Sequence, residues 1–202
     1  ETSVNLYQSV SPWKYQYVKE YTTSIVPGTT STIAYGDYSL TFVVTDSYNK
    51  KCQLVSADVP TSGTEIVIPP TVSFGEDDYS VTSIGSSAFS YCSSLSSIEI
   101  PSGVTSIGSY TFSGCSSLAS VVFGENSQLT SIGSSAFRGC SSLANVTFGE
   151  NSQLTSIGYY AFDNCSSLTS IEIPSGVMSI GVSAFRGCSS LTSIEIPSGV
   201  TS

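Results

Sequence analysis

Histidine is absent from this sequence, and cations are scarce: six Lys and Arg stand against fifteen Asp and Glu in 202 residues, a net charge of −9. The missing imidazole removes the side chain that most often acts as general base or metal ligand near neutral pH. The shortage of cations opposes a polyanionic partner, because nucleic-acid affinity comes largely from Lys and Arg neutralising phosphates. Docking on anionic lipid is opposed for the same reason. No apolar run approaches the roughly 18 to 20 residues that cross a bilayer, so this chain is not expected to insert in a membrane. With only 10 % of residues charged, the surface must be covered by Ser and Thr hydroxyls and by backbone. The apolar content is ordinary and the length suits one domain, or a repeat array with an appended module.

The sequence is rich in self-similarity. Cys92, Cys115, Cys140, Cys165 and Cys188 each open the string Cys-Ser-Ser-Leu, at intervals of 23, 25, 25 and 23 residues. A fixed period of this size is the mark of a solenoid, in which no unit buries its own apolar face and neighbours must stack. The apolar positions recur as columns. Leu95, Leu118, Leu143, Leu168 and Leu191 form one, and the β-branched Ile98, Val121, Val146, Ile171 and Ile194 form a second. Ile107, Ile132, Ile157 and Ile180 make a third. The alternation Ile98-Glu99-Ile100 places two side chains on one face and one on the other, which predicts one short strand per turn. A second extended stretch is predicted over Val104 to Ile107, and the Gly that follows each of these Ile residues is expected to serve a turn that a bulkier residue would strain. The two interval lengths have a local source: Ile-Pro-Ser-Gly-Val becomes Phe-Gly-Glu-Asn-Ser-Gln-Leu at Phe123 to Leu129 and at Phe148 to Leu154, which lengthens one corner by two residues.

Residues 1–80 lack the period and hold most of the tyrosines together with Trp13. Tyr38 to Thr45 and Cys52 to Val59 read as a hairpin around Asp46-Ser-Tyr-Asn-Lys-Lys51, and Val72 to Val81 as a second one. Ile66-Val67-Ile68-Pro69 anticipates the repeat strand. Such hairpins suit a cap, because a terminal turn otherwise exposes an unpaired edge and an open core. The chain starts at Glu1 with neither Met nor a leader, as expected of a processed or trimmed polypeptide. It stops at Val200-Thr201-Ser202, part-way through a unit, so the polypeptide is expected to continue. The uncapped far end is expected to favour end-to-end self-association.

The string Leu-x-x-Ile-x-Ile-Pro-x-x-Val-x-x-Ile-Gly-x-x-Ala-Phe-x-x-Cys resembles the BspA-like, or Treponema pallidum-type, leucine-rich repeat over residues 81–202, with Thr111 in place of Ala as a minor departure. The resemblance implies a repeat solenoid, a β-rich leucine-rich-repeat right-handed superhelix with short parallel strands, and the hairpin pattern of residues 1–80 adds an antiparallel β-hairpin cap before it. It also implies a non-catalytic, extracellular or cell-surface module, since such repeats occur in surface proteins of host-associated bacteria and some protists. The implied partner is a host or neighbouring-cell surface protein, such as the matrix protein fibronectin. A carbohydrate-binding accessory module and a passive surface spacer are the alternatives.

The Cys column is expected to hold buried structural thiols, because Cys is among the most buried residue types and the spacing is far from Cys-x-x-Cys. No metal site, cofactor or catalytic residue is expected. Glu172 and Glu195 share an outward column with Val67, Glu99, Val122 and Thr147, which would set the two carboxylates about 5 Å apart on adjacent strands; a solvated edge accounts for them more simply than acid–base chemistry. Glu76-Asp77-Asp78, Glu125-Asn126 and Glu150-Asn151 could offer oxygens to Ca²⁺, yet match no recognised loop and read as solvated turns. Trp13, Tyr15, Tyr17 and Tyr21 form an aromatic stripe that could stack sugars or bury itself against the repeats. The most informative positions are those that vary while the scaffold stays fixed. Tyr and Arg are the residue types enriched at interface hot spots, which makes Tyr110, Arg138, Tyr159, Tyr160 and Arg186 the leading binding candidates.

Overall fold

A computed structural model of the chain describes residues 25–201. Strands and turns make up the described residues. In chain order the strands are β1 (Thr30–Tyr35), β2 (Tyr38–Asp46), β3 (Lys51–Asp58), β4 (Thr64–Val67), β5 (Thr71–Phe74), β6 (Asp77–Ile84), β7 (Leu95–Ile100), β8 (Ser106–Ile107), β9 (Ser120–Phe123), β10 (Ser131–Ile132), β11 (Asn145–Thr147), β12 (Ser156–Ile157) and β13 (Ser179–Ile180). Two sheets run along the stack. The longer has the order β1-β2-β3-β6-β8-β10-β12-β13, with β5 attached to β6; the shorter has the order β11-β9-β7-β4.

In the repeats, every pairing is parallel and in register. Ile84 lies beside Ile107, Ile107 beside Ile132, Ile132 beside Ile157 and Ile157 beside Ile180. In the shorter sheet Ile98 lies beside Val121, and Val121 beside Val146. The predicted solenoid and both of its extended stretches are therefore present. The brief Ser-Ile stretch is the more persistent ladder, because it continues through β13 while the shorter sheet stops at β11. It stops although Ile171-Glu172-Ile173-Pro174 repeats Ile98-Glu99-Ile100-Pro101, a stretch whose strand is paired on both sides.

The core reads down the predicted columns. Leu95, Leu118, Leu143 and Leu168 are fully buried. Phe89, Phe112, Phe137, Phe162 and Phe185 stack ring on ring with centroids 5.1–5.4 Å apart. Each thiol of Cys115, Cys140, Cys165 and Cys188 donates to the carbonyl of the Phe one turn back, Phe89, Phe112, Phe137 and Phe162, at 3.0–3.1 Å. The Cys column thus ties turn to turn as well as filling space. Thr hydroxyls do the same on the surface: Thr105 donates to Thr82 O, Thr130 to Thr105 O and Thr155 to Thr130 O at 2.9–3.0 Å. Thr111, the departure from Ala, is buried without penalty, its hydroxyl lying 2.8 Å from Gly108 O and 3.0 Å from Gly85 O.

The glycine after each Ile has a different cause from the expected one. Gly108, Gly133, Gly158 and Gly181 have no positive φ. A Cβ there would instead fall 2.4–2.6 Å from the backbone of the preceding turn. Glycine is required because the turns approach too closely for any side chain. The strained positions lie two residues later: Ser87, Tyr110, Ser135, Tyr160 and Ser183 have φ of 56–59°.

The region before the repeats carries the predicted hairpins. β2 pairs antiparallel with β3, and β5 with β6. A third antiparallel strand, β1, joins β2 through the Gly36-Asp37 turn. In addition β3 runs parallel to β6, and β4 parallel to β7, so the hairpin's second arm is itself part of a solenoid turn. One buried cluster runs from Leu40 through Cys188. At the far end Ile196 is half exposed, and Leu191 and Ile194 are only partly covered.

Candidate binding surface

After each close-approach glycine the chain makes a tight turn whose backbone is bonded to the next turn: Tyr110 N donates to Ser134 O, Ser135 N to Tyr159 O and Tyr160 N to Val182 O. The scaffold therefore fixes the backbone and leaves the side chains at these positions free to differ. Tyr110 and Tyr160 share the left-handed conformation with Ser87, Ser135 and Ser183. That strain belongs to the scaffold and is no sign of a site. The three tyrosines are exposed, Tyr110 by 47 %, Tyr159 by 58 % and Tyr160 by 37 %. Tyr159 lines a shallow groove with Ser109, Ser134, Gly158, Gly181 and Val182.

Two of the candidates, Arg138 and Arg186, meet on Asp163, which is not among the predicted binding residues. Asp163 follows Phe162 as Arg138 follows Phe137 and Arg186 follows Phe185, so stacking places the three side by side. Asp163 is fully buried, and Arg186 binds it through Nε–Oδ1 at 2.8 Å and Nη2–Oδ2 at 3.1 Å. From the other side Arg138 Nε lies 3.2 Å from Oδ2, and Asn164 Nδ2 donates to the same oxygen at 3.2 Å. Hydrogen bonding to Asp163, then its charge, raises the pKa of the Arg186 guanidinium. The Arg186 guanidinium also lies over the Tyr160 ring, 5.2 Å from its centroid, a cation–π contact. The structure thus brings together Arg138, Arg186 and Tyr160. Tyr110 belongs to the same column as Tyr160 two turns back. Arg138 and Asp163 stand 25 residues apart in one column, the signal that would have revealed the cluster.

The other candidates have simpler surroundings. Trp13, Tyr15, Tyr17 and Tyr21 lie outside the described residues. Glu172 and Glu195 are exposed, but their segments belong to no strand, so the expected pair of carboxylates on adjacent strands is not formed. The acidic turns find partners nearby: Asp77 pairs with Lys50, Asp78 accepts from Ser73, and Asn151 donates to Asn126. All six cysteines are free thiols. Burial pushes Cys52 up to about 11 and Cys115 up to about 12, and raises Cys140 and Cys165 as well. Thiols so placed are protonated at neutral pH and poor nucleophiles. No helix among the described residues is long and apolar enough to cross a membrane.

A stack of parallel turns with nearly uniform Leu, Ile and Phe columns, and with variation largely at outward-facing positions, defines a leucine-rich-repeat scaffold. Residues 82–202 match the family described as the BspA type leucine rich repeat region in six copies, and the chain belongs to that family. Among solved structures it is similar to the T. pallidum leucine rich repeat protein, at 32 % identity and a TM-score of 0.65 over 73 % of this chain and 64 % of that one. A leucine rich cell surface protein from Faecalibacterium prausnitzii is also similar, at 32 % identity and a TM-score of 0.69 over 85 % of this chain and 44 % of that one. The pneumococcal vaccine antigen PcpA shares the fold at 24 % identity and a TM-score of 0.58, over 84 % of this chain and 50 % of that one. The chain thus spans less than two thirds of each of these proteins. None of the curated proteins matches it. Membership in this family makes the chain a leucine-rich-repeat scaffold.

Proposed function

We propose that the chain is a non-catalytic protein-binding module of a secreted or cell-surface protein, serving adhesion to a host or neighbouring cell through a surface or matrix protein. The observation that carries this reading is the placement of its variable residues. The columns that stack are nearly uniform, whereas Tyr110, Arg138, Tyr159, Tyr160 and Arg186 stand out on the turn edge as exposed side chains of the types that dominate interface energies. A passive spacer has no use for such an edge. The likeness to a leucine rich cell surface protein supports the setting.

The test is surface-immobilised binding to fibronectin and to whole cell-derived matrix. Replacing both Tyr159 and Tyr160 by Ala removes the rings and adds no backbone strain, because Ala and Tyr suffer equally at positive φ. Binding is expected to weaken by about tenfold or more, the effect of losing a hot spot. Binding that is unchanged in the double variant, or absent in the parent chain, would overturn the reading.

A further inference from the structure

Resting on the reading of the turn edge as a binding surface, the structure assigns a ligand chemistry to one part of it. We propose that Arg138 and Arg186, held in place by Asp163, form a receptor for a carboxylate side chain on an acidic segment of a partner protein.

The chain contains two arginines in all, and both converge on one carboxylate. Neutralising Asp163 does not require both. Arg186 already engages each of its oxygens, and Asn164 adds a further donor. In earlier turns the same column holds Ser90 and Ser113, so the stack has no need of a charge there. What the second arginine adds is a net positive charge. Two guanidinium groups around one carboxylate leave a single excess cation on a chain of net charge −9.

The geometry leaves that charge available. A guanidinium carries five N–H donors. Arg138 gives Asp163 only its Nε–H, and Arg186 gives two donors. Among the described residues the remaining donors have no partner, and the two side chains are 51 % and 57 % exposed. The buried carboxylate between them and the Tyr160 ring beside Arg186 restrict both rotamers before any ligand arrives. Preorganisation of this kind lowers the ordering cost of binding, and planar guanidinium forks match carboxylates two bonds at a time. A partner segment with one or two Asp or Glu residues satisfies the excess charge. A densely charged polyanion is opposed by the acidity of the rest of the chain.

The experiment uses the full chain labelled with nitrogen-15, in which the arginine Nε–Hε region holds two signals. The probe is the capped peptide Gly-Ser-Glu-Glu-Ser-Gly, with the same peptide carrying Gln for Glu as control. Saturable shifts of both signals with the Glu peptide are expected, with affinity falling as salt is raised. The Arg138→Gln chain keeps Arg186 and Asn164 on Asp163, so it is expected to melt within a few degrees of the parent and to bind the Glu peptide about tenfold more weakly. No shift with the Glu peptide, equal shifts with the Gln peptide, or undiminished binding by a folded Arg138→Gln chain would overturn the proposal. Matrix binding that persists while the peptide titration is silent would sink this inference alone. Peptide binding without matrix binding would leave the receptor standing and remove the adhesive role.

Discussion

The repeats and the turn that precedes them reach the same architecture by different means. From Cys92 onward, stacking is carried by columns of like side chains, with Phe on Phe and, from Cys115, each Cys thiol on the carbonyl one turn back. The turn beginning at β3 shares the Ile-x-Ile-Pro strand at Ile66 to Pro69 but has neither the stacked Phe nor the Cys ladder. It nevertheless sets Leu54 beside Ile84 and Ile66 beside Ile98 in parallel ladders, and buries all four. What it loses is regularity: the register shifts between Cys52 and Gln53 and again between Thr64 and Glu65. Its aromatic pair, Phe74 and Tyr79, meets edge to face instead of stacking. Alternating apolar residues and a parallel ladder therefore suffice for a turn with an antiparallel hairpin on its outer side. The Gly, Phe and Cys columns are needed where a turn must accept an identical neighbour on both faces at a fixed spacing.

Glycine gives the sharpest test of that difference. In the repeats, a Cβ at Gly133 would lie 2.5 Å from Gly108 C and 2.6 Å from Gly108 O, so Gly133→Ala must push two turns apart. Overpacking against backbone that cannot yield should cost about 3 kcal/mol or more. Gly63, just before β4, has nothing within 4 Å of its Cβ position and no positive φ. Gly63→Ala should change stability by less than about 1 kcal/mol, in the stabilising direction, by restricting the unfolded chain. Urea melts of the two variants check this, and equal losses would erase the distinction between the regions.

Ion pairs offer a second contrast of smaller size. Asp163 is fully buried between its arginines, whereas the Lys50–Asp77 pair beside β6 is 43 % and 54 % exposed. Asp163→Asn keeps one oxygen but loses the charge that the two guanidinium groups bond to, and is expected to cost about 2 kcal/mol. Asp77→Asn is expected to cost less than about 0.5 kcal/mol, and less still in high salt. A salt-insensitive loss at Asp77 as large as that at Asp163 would contradict the assignment of structural weight to the repeat cluster.

The same contrast sets what could be read in advance. Each repeat column is printed several times over, so Leu95, Ile107, Phe112 and Cys115 declared their roles by recurrence, and the structure places them all in the core. The Arg138, Asp163 and Arg186 cluster was legible by the same rule, since opposite charges one period apart in one column must meet. Hot-spot residue types alone point to the arginines and leave out Asp163, the carboxylate that joins them. The entry of β3 into the parallel ladder was not legible, because Cys52-Gln53-Leu54 alternates like any strand and nothing local distinguishes a hairpin arm from a solenoid rung. β1 was signalled only by Gly36-Asp37, a short hairpin turn between ordinary residues. Nor could the end of the shorter sheet be foreseen: Ile171 and Ile173 are the same residues as Ile98 and Ile100, and only Ile98 and Ile100 sit in a ladder.

The thiols supply the smallest test, because the two regions differ there in degree. Burial lifts Cys52 to about 11 and Cys115 to about 12, from an ordinary value of 9.0. A folded-state pKa raised in this way means that the unfolded chain gives up the proton first. Each thiol's contribution is whole below pH 9.0, falls as pH rises above that value, and is fully lost once the folded pKa is passed. Tyrosines and lysines titrate in the same range, so the comparison must be made against single variants. Cys115→Ala should flatten the alkaline loss of stability across the window from 9.0 to about 12. Cys52→Ala should flatten it only as far as about 11. Urea melts in steps of pH from neutral upward measure both. Identical curves for Cys115→Ala and the parent would show that the ladder thiol ionises as freely in the folded chain as in the unfolded one. Cys115 would then lack the desolvation that its full burial implies, and the two regions would not differ in their thiols.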